Sequence, residues 1–176
     1  TNGPVGSMIK NILSRRIVMN SGEKGGELFD QKSVALLFAA DRLDHIRNEI
    51  EPLLRKGFVV ISDRYKYSSY AYQAIFAGKK WVSDINRFAI DPDFIVFLDV
   101  DVKTGLKRVG FRGNVKEIYE KAGLLNKVRK NYLSDLRKCR IAEIIDAGRT
   151  LDEVYLEVRE KFFKRLIRYG YKIQVN

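Results

Sequence analysis

An acid and an arginine stand side by side directly after a short apolar run, a combination suited to binding a metal ion and a phosphate. The run 58–61 is followed by Ser62, Asp63 and Arg64. In open α/β sheets, ligands bind beyond the carboxyl ends of the strands. Asp63 could hold a magnesium-bound water, and the planar guanidinium of Arg64 could grip a phosphate. A local ion pair that caps the strand explains the same two residues equally well.

A second candidate pair places an aromatic ring beside a cation. Phe38 and Arg42 are four residues apart, so on a helix they share one face and could together bind a base and its phosphate. An ordinary core position also explains Phe38, because the segment 34–40 is apolar on every side and is predicted to be buried all round. Burial of Arg42 costs free energy unless another group pairs with its guanidinium.

Alternating helical and β-rich patterns predict the elements that position these residues. Apolar spacing predicts a first helix over 5–17 and a second from Asp30 to the stop at Lys56 and Gly57, separated by a polar loop at 20–26. Buried strands are predicted at 58–61, 94–100 and 141–145, and further helices at 68–76, 81–89, 102–109, 124–136 and 151–168. Thr150 and Glu153 form a capping box before the last helix. This alternation predicts a doubly wound α/β domain.

Composition narrows the class of protein. The 176 residues suit one globular domain, which we place at 1–176. The single cysteine, Cys139, excludes an internal disulfide framework and a cysteine-based zinc site, and a reducing, cytoplasmic compartment fits best. No apolar run is long enough to span a membrane, and we expect no membrane partner. The net charge of +11 favours polyanions such as nucleotides or nucleic acid.

Five segments, in order along the chain, resemble the thymidylate kinase family, in its archaeal form. The densest is 57–73, GFVVISDRYKYSSYAYQ; the others are TNGPVG at 1–6, LLFAADR at 36–42, the run 92–100 and IIDA at 144–147. The resemblance implies a P-loop nucleoside monophosphate kinase fold: a doubly wound parallel sheet with helices on both faces and a lid. It also implies transfer of the γ-phosphoryl group of ATP to dTMP, giving dTDP, with Mg²⁺ as cofactor and a homodimer as the assembly.

The resemblance also assigns the acceptor side of the site. It implies that Phe38 stacks on thymine, that Arg42 hydrogen-bonds the base edge and that Arg64 holds the acceptor phosphate. Asp63 would hold Mg²⁺ through a water. The remaining residues implied to line the nucleoside pocket are Ser68, Ser69, Tyr72 and Gln73.

The donor side is assigned to a lid at approximately 108–123 and to the loop after the last strand. Arg112 is the first choice for the arginine that acts in the transition state and Arg108 the second, and both would also contact ATP. Ile118 stands where many relatives keep another arginine. A solvated basic loop explains Arg108 and Arg112 equally well. By resemblance, Gly148 and Arg149 contact adenine.

The printed sequence lacks the phosphate-binding motif that such a kinase needs. No G-x-x-x-x-G-K-[ST] is present. The family begins with a strand, P-loop and helix, so we expect about 30 to 40 further residues at the N-terminus of the native polypeptide. Two alternatives stay open: a catalytically inactive nucleotide-binding relative, and a basic nucleic-acid-binding domain. The second rests on charge alone, because no recognised nucleic-acid motif accompanies it.

Overall fold

The chain forms two compact units, Thr1–Ile90 and Asp91–Asn176, called here the N-terminal and C-terminal units. The computed structural model describes residues 1–17, 29–110 and 115–171, with the backbone alone for 115–120. The predicted loop at 20–26 therefore lies outside the described residues. Within the described chain, no helix combines the length and apolar character needed to cross a bilayer.

The described part of the N-terminal unit is helical. Its elements are α1 (Pro4–Leu13), α2 (Gln31–His45), a π-helical turn (Ile46–Ile50), α3 (Glu51–Arg55), α4 (Lys66–Tyr72), α5 (Ala74–Ala77) and α6 (Lys79–Ile85). The Asp30 carboxylate accepts hydrogen bonds from the backbone N–H groups of Lys32 and Ser33, which fixes the predicted start of α2. The helical path then runs to Arg55, and Gly57, with φ of +81°, ends it as predicted.

Two predictions for the N-terminal unit are wrong in their extent. The first helix ends at Leu13 and not at Ile17, because Arg15 takes a left-handed conformation with φ of +58° that stops helical hydrogen bonding. The segment 34–40 is not buried all round: Val34 is buried, but 49% of Leu36 is exposed. Helix α2 therefore has an outer face that no other described residue covers.

The predicted buried strand at 58–61 is wrong. The structure gives no paired strand there, and 82% of Ile61 is exposed. A β-strand exists only when a neighbouring strand takes up its backbone N–H and C=O groups. The described residues of the N-terminal unit supply no such neighbour. The segment still connects α3 to α4, so it carries Asp63 and Arg64 to the start of α4.

The C-terminal unit contains a two-stranded parallel sheet. Strand β1 (Ile95–Asp99) pairs with β2 (Ala142–Asp146) in a register that runs from Ile95 opposite Ala142 to Asp99 opposite Asp146. The connection carries α7 (Val102–Arg108) and α8 (Val115–Leu136), and α9 (Leu151–Arg168) follows β2. Both strands and α9 were predicted, as was the capping box of Thr150 and Glu153. Helix α8 is longer than predicted, since it begins at Val115 and not at 124.

Helices contact both faces of this sheet. Phe97 stacks on Tyr132 of α8 with ring centroids 4.8 Å apart, whereas its neighbour Val96 packs into a cluster with Ile145 and with Val154 of α9. Successive side chains of a strand point to opposite faces, so α8 and α9 cover different faces. Burial is incomplete, however, because half of Leu98 is exposed in a sheet whose described strands each have a single neighbour.

Candidate functional site

Arg42 is the anchor of the candidate site in the N-terminal unit. Its Nη2 donates a hydrogen bond to the Ser69 hydroxyl at 2.9 Å, and its Nη1 donates to Oδ1 of Asn86. The guanidinium also lies over the ring of Tyr65, 5.6 Å from the centroid. The side chain thus joins α2 to α4 and to the end of α6. Arg42 was predicted to need a partner, and its partners are neutral groups.

The charge of Arg42 is not paired with an acid in the part of the chain that the structure describes. Within the described residues, no carboxylate lies at ion-pair distance from Arg42. Burial lowers the pKa of Arg42 from its ordinary value. Electrostatic interactions with Tyr65, Tyr70 and Asp41 act in the opposite direction and raise this pKa. Guanidinium groups keep their proton in proteins, so Arg42 retains its positive charge in this site. The site therefore presents a partly desolvated cation, which suits an electron-rich or anionic ligand.

Arg64 stands in a left-handed backbone conformation just before α4. Its φ is +66°, an uncommon value for any residue other than glycine and one that costs free energy. The Ser62 hydroxyl donates to the Arg64 carbonyl at 2.8 Å, which holds this turn. The exposed guanidinium lies over the Tyr72 ring, 5.5 Å from the centroid. Strain of this kind is often retained at binding sites, where the backbone conformation aims a side chain.

The other residues predicted for the acceptor side lie on α2, on α4 and at the C-terminal end of α4. Ser69 is buried on α4, and Ser68 and Tyr72 are partly buried on the same helix. Phe38 lies one turn before Arg42 on α2 and is partly buried. The Oε1 atom of Gln73 is buried and has no hydrogen-bond partner in the described part of the chain. A buried acceptor without a donor is costly, and a bound ligand could supply the donor.

Asp63 is exposed and forms no ion pair with its neighbour Arg64. Within the residues that the structure describes, its carboxylate forms neither a hydrogen bond nor an ion pair. The strand-capping pair of Asp63 with Arg64 is therefore not formed. The carboxylate oxygens are free to take part in binding.

In the C-terminal unit, Arg108 binds the loop that follows β2. Its Nη1 donates to the Ala147 carbonyl at 2.5 Å, and its Nη2 donates to the carbonyls of Gly148 and Arg149, both at 3.2 Å. The structure thus brings together three residues that were assigned to the ATP side. In this arrangement, the guanidinium of Arg108 shapes the loop at 147–149.

Arg149 is held by its own set of contacts. Its Nε donates to the Asp146 carbonyl at 3.1 Å and its Nη2 to the Glu157 carboxylate of α9. The hydrogen bond that Arg149 donates to Glu157 is the main cause that raises the pKa of Arg149. Arg112 lies outside the described residues, and of the predicted lid at 108–123, residues 115–123 belong to α8.

Sequence reasoning missed two polar groupings. Asn86, the partner of Arg42, is 2% exposed, and it lies 44 positions away in a stretch interpreted as an ordinary helix. Asp99, at the carboxyl end of β1, accepts two hydrogen bonds from Arg129 of α8, at 2.6 and 2.8 Å. Hydrogen bonding to the Asp99 carboxylate is the main cause that raises the pKa of Arg129. A polar residue within an otherwise apolar helix face was the available signal for Asn86.

Comparison with known proteins gives consistent matches. The family model of thymidylate kinase matches residues 1–158. Three relatives, each named probable thymidylate kinase, come from Staphylothermus marinus, Thermococcus onnurineus and Pyrobaculum aerophilum. The first is 45% identical over 82% of this chain and 73% of its own length. The second is 39% identical over 83% and 73%, and the third 40% over 96% and 82%.

These matches place the chain among the nucleoside monophosphate kinases, a class of nucleotide-binding α/β enzymes. Membership of this class implies the P-loop kinase fold. Within that class, the chain belongs to the thymidylate kinase family. The resemblance drawn from the sequence is thereby confirmed, including its archaeal character. The comparisons give no support to an inactive relative or to a nucleic-acid-binding domain.

Proposed function

We propose that the protein transfers the γ-phosphoryl group of ATP to dTMP and that the N-terminal unit holds the acceptor nucleotide around Arg42. The observation that carries this proposal is the setting of Arg42: a partly buried guanidinium held by two neutral partners, with no carboxylate at ion-pair distance among the described residues. Such a cation keeps its charge for a ligand. A nucleotide offers it carbonyl oxygens on the base and an anionic phosphate.

The base would be bound by residues of α2 and of the α4 to α5 region. Phe38 supplies an aromatic plane for stacking, and Arg42 donates to a carbonyl oxygen on the edge of thymine. The buried Oε1 of Gln73 can accept a hydrogen bond from the N–H group of the base, which satisfies an atom that has no other partner within the described residues. Ser68, Ser69 and Tyr72 complete the pocket.

The acceptor phosphate would be bound by Arg64. The left-handed backbone and the Tyr72 ring fix the direction of its guanidinium, whose fork of N–H groups fits two phosphate oxygens. In the reaction, an oxygen of the dTMP phosphate forms a bond to the γ-phosphorus of ATP. The bond from that phosphorus to the bridging oxygen breaks, and ADP leaves. The protein contributes positioning and charge stabilisation to this step.

The donor nucleotide would be bound by the C-terminal unit. Arg108 fixes the carbonyls of the loop at 147–149, and Gly148 and Arg149 of that loop would contact adenine. Arg112 and the lid at 108–123 would close over the phosphates and exclude water. Arg112 remains the first choice for stabilising the transferring group.

Mg²⁺ is the cofactor that fits the acidic residues present. Within the described residues, no cluster of three or more potential metal ligands exists, so an all-protein metal cage is not formed there. Magnesium in phosphoryl-transfer sites is instead bound by one or two carboxylates, waters and the substrate phosphates. The exposed carboxylate of Asp63, without a competing partner in the described chain, suits such a role through a water. When bound, the ion neutralises phosphate charge.

We further propose a homodimer that uses the outer face of α2. Leu36, Ala40 and Leu43 are exposed and follow helical spacing, which gives a continuous apolar stripe suited to a second copy. Sedimentation equilibrium should give twice the chain mass, and a monomer at micromolar concentration would refute the dimer.

The complete protein would fold as a single doubly wound domain and act in the cytoplasm.

A coupled assay that follows ADP formation tests the function. Full-length protein with ATP, Mg²⁺ and dTMP should form ADP in proportion to dTMP consumed. The same assay with dUMP in place of dTMP measures how far the pocket selects the base. If dTMP causes no ADP formation above the rate without acceptor, the proposed reaction is wrong.

A further inference from the structure

Asn86 is a fully buried polar residue in contact with Arg42. It lies at the end of α6 and is 2% exposed. Buried side-chain amides are costly unless hydrogen-bonded. Asn86 satisfies both ends of its amide, because Nδ2 donates to the Val82 carbonyl at 2.8 Å and Oδ1 accepts from Nη1 of Arg42.

These two bonds fix which way the amide points. A backbone carbonyl can only accept, so the NH₂ group of Asn86 must face Val82. The remaining oxygen must then face Arg42, which can only donate. Helix α6 therefore holds the Asn86 oxygen at a set place, and that oxygen holds one side of the guanidinium. Ser69 holds the other side from α4.

The neutrality of Asn86 matters as much as its position. An aspartate has nearly the same shape, but its carboxylate would bind the guanidinium as a charge-assisted, and often bidentate, pair. Arg42 would then be neutralised and its N–H groups turned toward α6. The partners found in the structure, an amide and a hydroxyl, orient the guanidinium without neutralising it.

We propose that Asn86 is a positioning residue that aims the Arg42 guanidinium at the acceptor nucleotide and, being uncharged, leaves that guanidinium free to bind it. This inference rests on the proposed function, in which Arg42 contacts dTMP. It assigns a role in acceptor affinity to a residue that does not itself touch the substrate.

Asn86→Asp in the full-length protein tests this inference. We expect the KM for dTMP to rise about tenfold or more, because the competing carboxylate takes a charge-assisted bond from the ligand. The KM for ATP should stay within about twofold, because only the acceptor contact of Arg42 is altered. Asn126→Asp adds the same charge at an exposed position of α8, in the C-terminal unit, and should change neither constant.

Further variants keep the test decisive. If Asn86→Asp does not fold, judged by circular dichroism, Asn86→Ala replaces it and should raise the KM for dTMP by about threefold to tenfold through loss of one bond to Arg42. An unchanged KM for dTMP in the folded Asn86 variant, or an equal rise for ATP, overturns the inference. Arg42→Ala distinguishes the two levels: if it too leaves the KM for dTMP unchanged, the proposed role of Arg42 fails; if it alone raises that KM, only the role of Asn86 fails.

Discussion

Arg64 has a strained backbone conformation and a side chain that is the candidate group for binding the acceptor phosphate. A φ of +66° is disfavoured for a side chain with a β-carbon, and the Ser62 hydroxyl stabilises the turn by donating to the Arg64 carbonyl. A glycine at this position would relieve the strain and lose the guanidinium. An arginine at this position is therefore expected if its side chain binds a ligand and this binding offsets the conformational free energy that the left-handed backbone costs.

Paired variants of Arg64 separate conformation from chemistry. Arg64→Ala and Arg64→Gly should both abolish measurable turnover in the coupled assay, since both remove the proposed phosphate ligand. Arg64→Gly should nevertheless be more stable to urea than Arg64→Ala by about 1 kcal/mol, because only glycine takes a positive φ without cost.

Arg87 provides the matched control, since it is exposed and its φ is not positive. There the order should reverse, with the glycine variant the less stable by about 0.5–1 kcal/mol. If Arg64→Ala were at least as stable as Arg64→Gly, the left-handed conformation would be wrong. If turnover survived either Arg64 variant, the phosphate assignment would be wrong.

At the scale of single residues, the sequence predicts what local spacing determines. Phe38 and Arg42 share a helix face as their four-residue separation requires, and Thr150 caps α9 as its distance from Glu153 indicates. The contact of Arg42 with Asn86 was beyond reach, because it spans 44 positions and depends on how α2 and α6 pack. The left-handed backbone of Arg64 had no local signal, since the residue is not glycine.

Helix α1 approaches α2 closely at Gly6. The buried Asp41 of α2 accepts a hydrogen bond from the Thr1 hydroxyl at 2.5 Å, and Gly6 lies directly beside this pair. A β-carbon at position 6 would come within 2.5 Å of the Thr1 carbonyl oxygen and 2.9 Å of Oδ1 of Asp41. The absence of a side chain at Gly6 thus permits the packing of the two helices.

The same substitution in two helices tests this packing. Gly6→Ala should lower the free energy of unfolding by about 1–3 kcal/mol, as overpacking does. Gly123→Ala in α8 should raise it by up to about 1 kcal/mol, because alanine favours a helix and nothing lies within 4 Å of the new carbon. Urea unfolding of both variants measures the difference. A Gly6→Ala protein as stable as the wild type would contradict the close approach of α1 to α2.

At the scale of elements, helices were easier to predict than strands. Caps and apolar periodicity lie within each helix, so α2 and α9 begin where the sequence indicates. A strand depends on a partner far along the chain. The two strands predicted in the C-terminal unit pair with each other as β1 and β2. The segment 58–61 has no partner strand among the described residues and is unpaired. Exposure of Leu36 was missed for the same reason, since burial depends on neighbours.

At the scale of the whole molecule, the two compact units carry different halves of the proposed chemistry. The acceptor residues, from Phe38 to Gln73, belong to the unit Thr1–Ile90, and the donor residues that the structure describes, Arg108, Gly148 and Arg149, belong to Asp91–Asn176. This division predicts that variants in the two units differ in which KM value they change. A change in one unit should alter the binding of one nucleotide and leave the other nucleotide nearly unaffected.

The most direct test of the account is the pair of KM values for dTMP and ATP in Arg42→Ala and Arg149→Ala full-length proteins. Arg42→Ala should raise the KM for dTMP about tenfold or more and leave that for ATP within about twofold, since a bond to a charged group contributes roughly 1.5–3 kcal/mol. Arg149→Ala should do the reverse. Glu157→Gln, which removes the acid beside Arg149 but keeps the guanidinium, should leave both constants nearly unchanged. A rise in the KM for ATP with that for dTMP unchanged in Arg42→Ala would contradict the placement of the acceptor site.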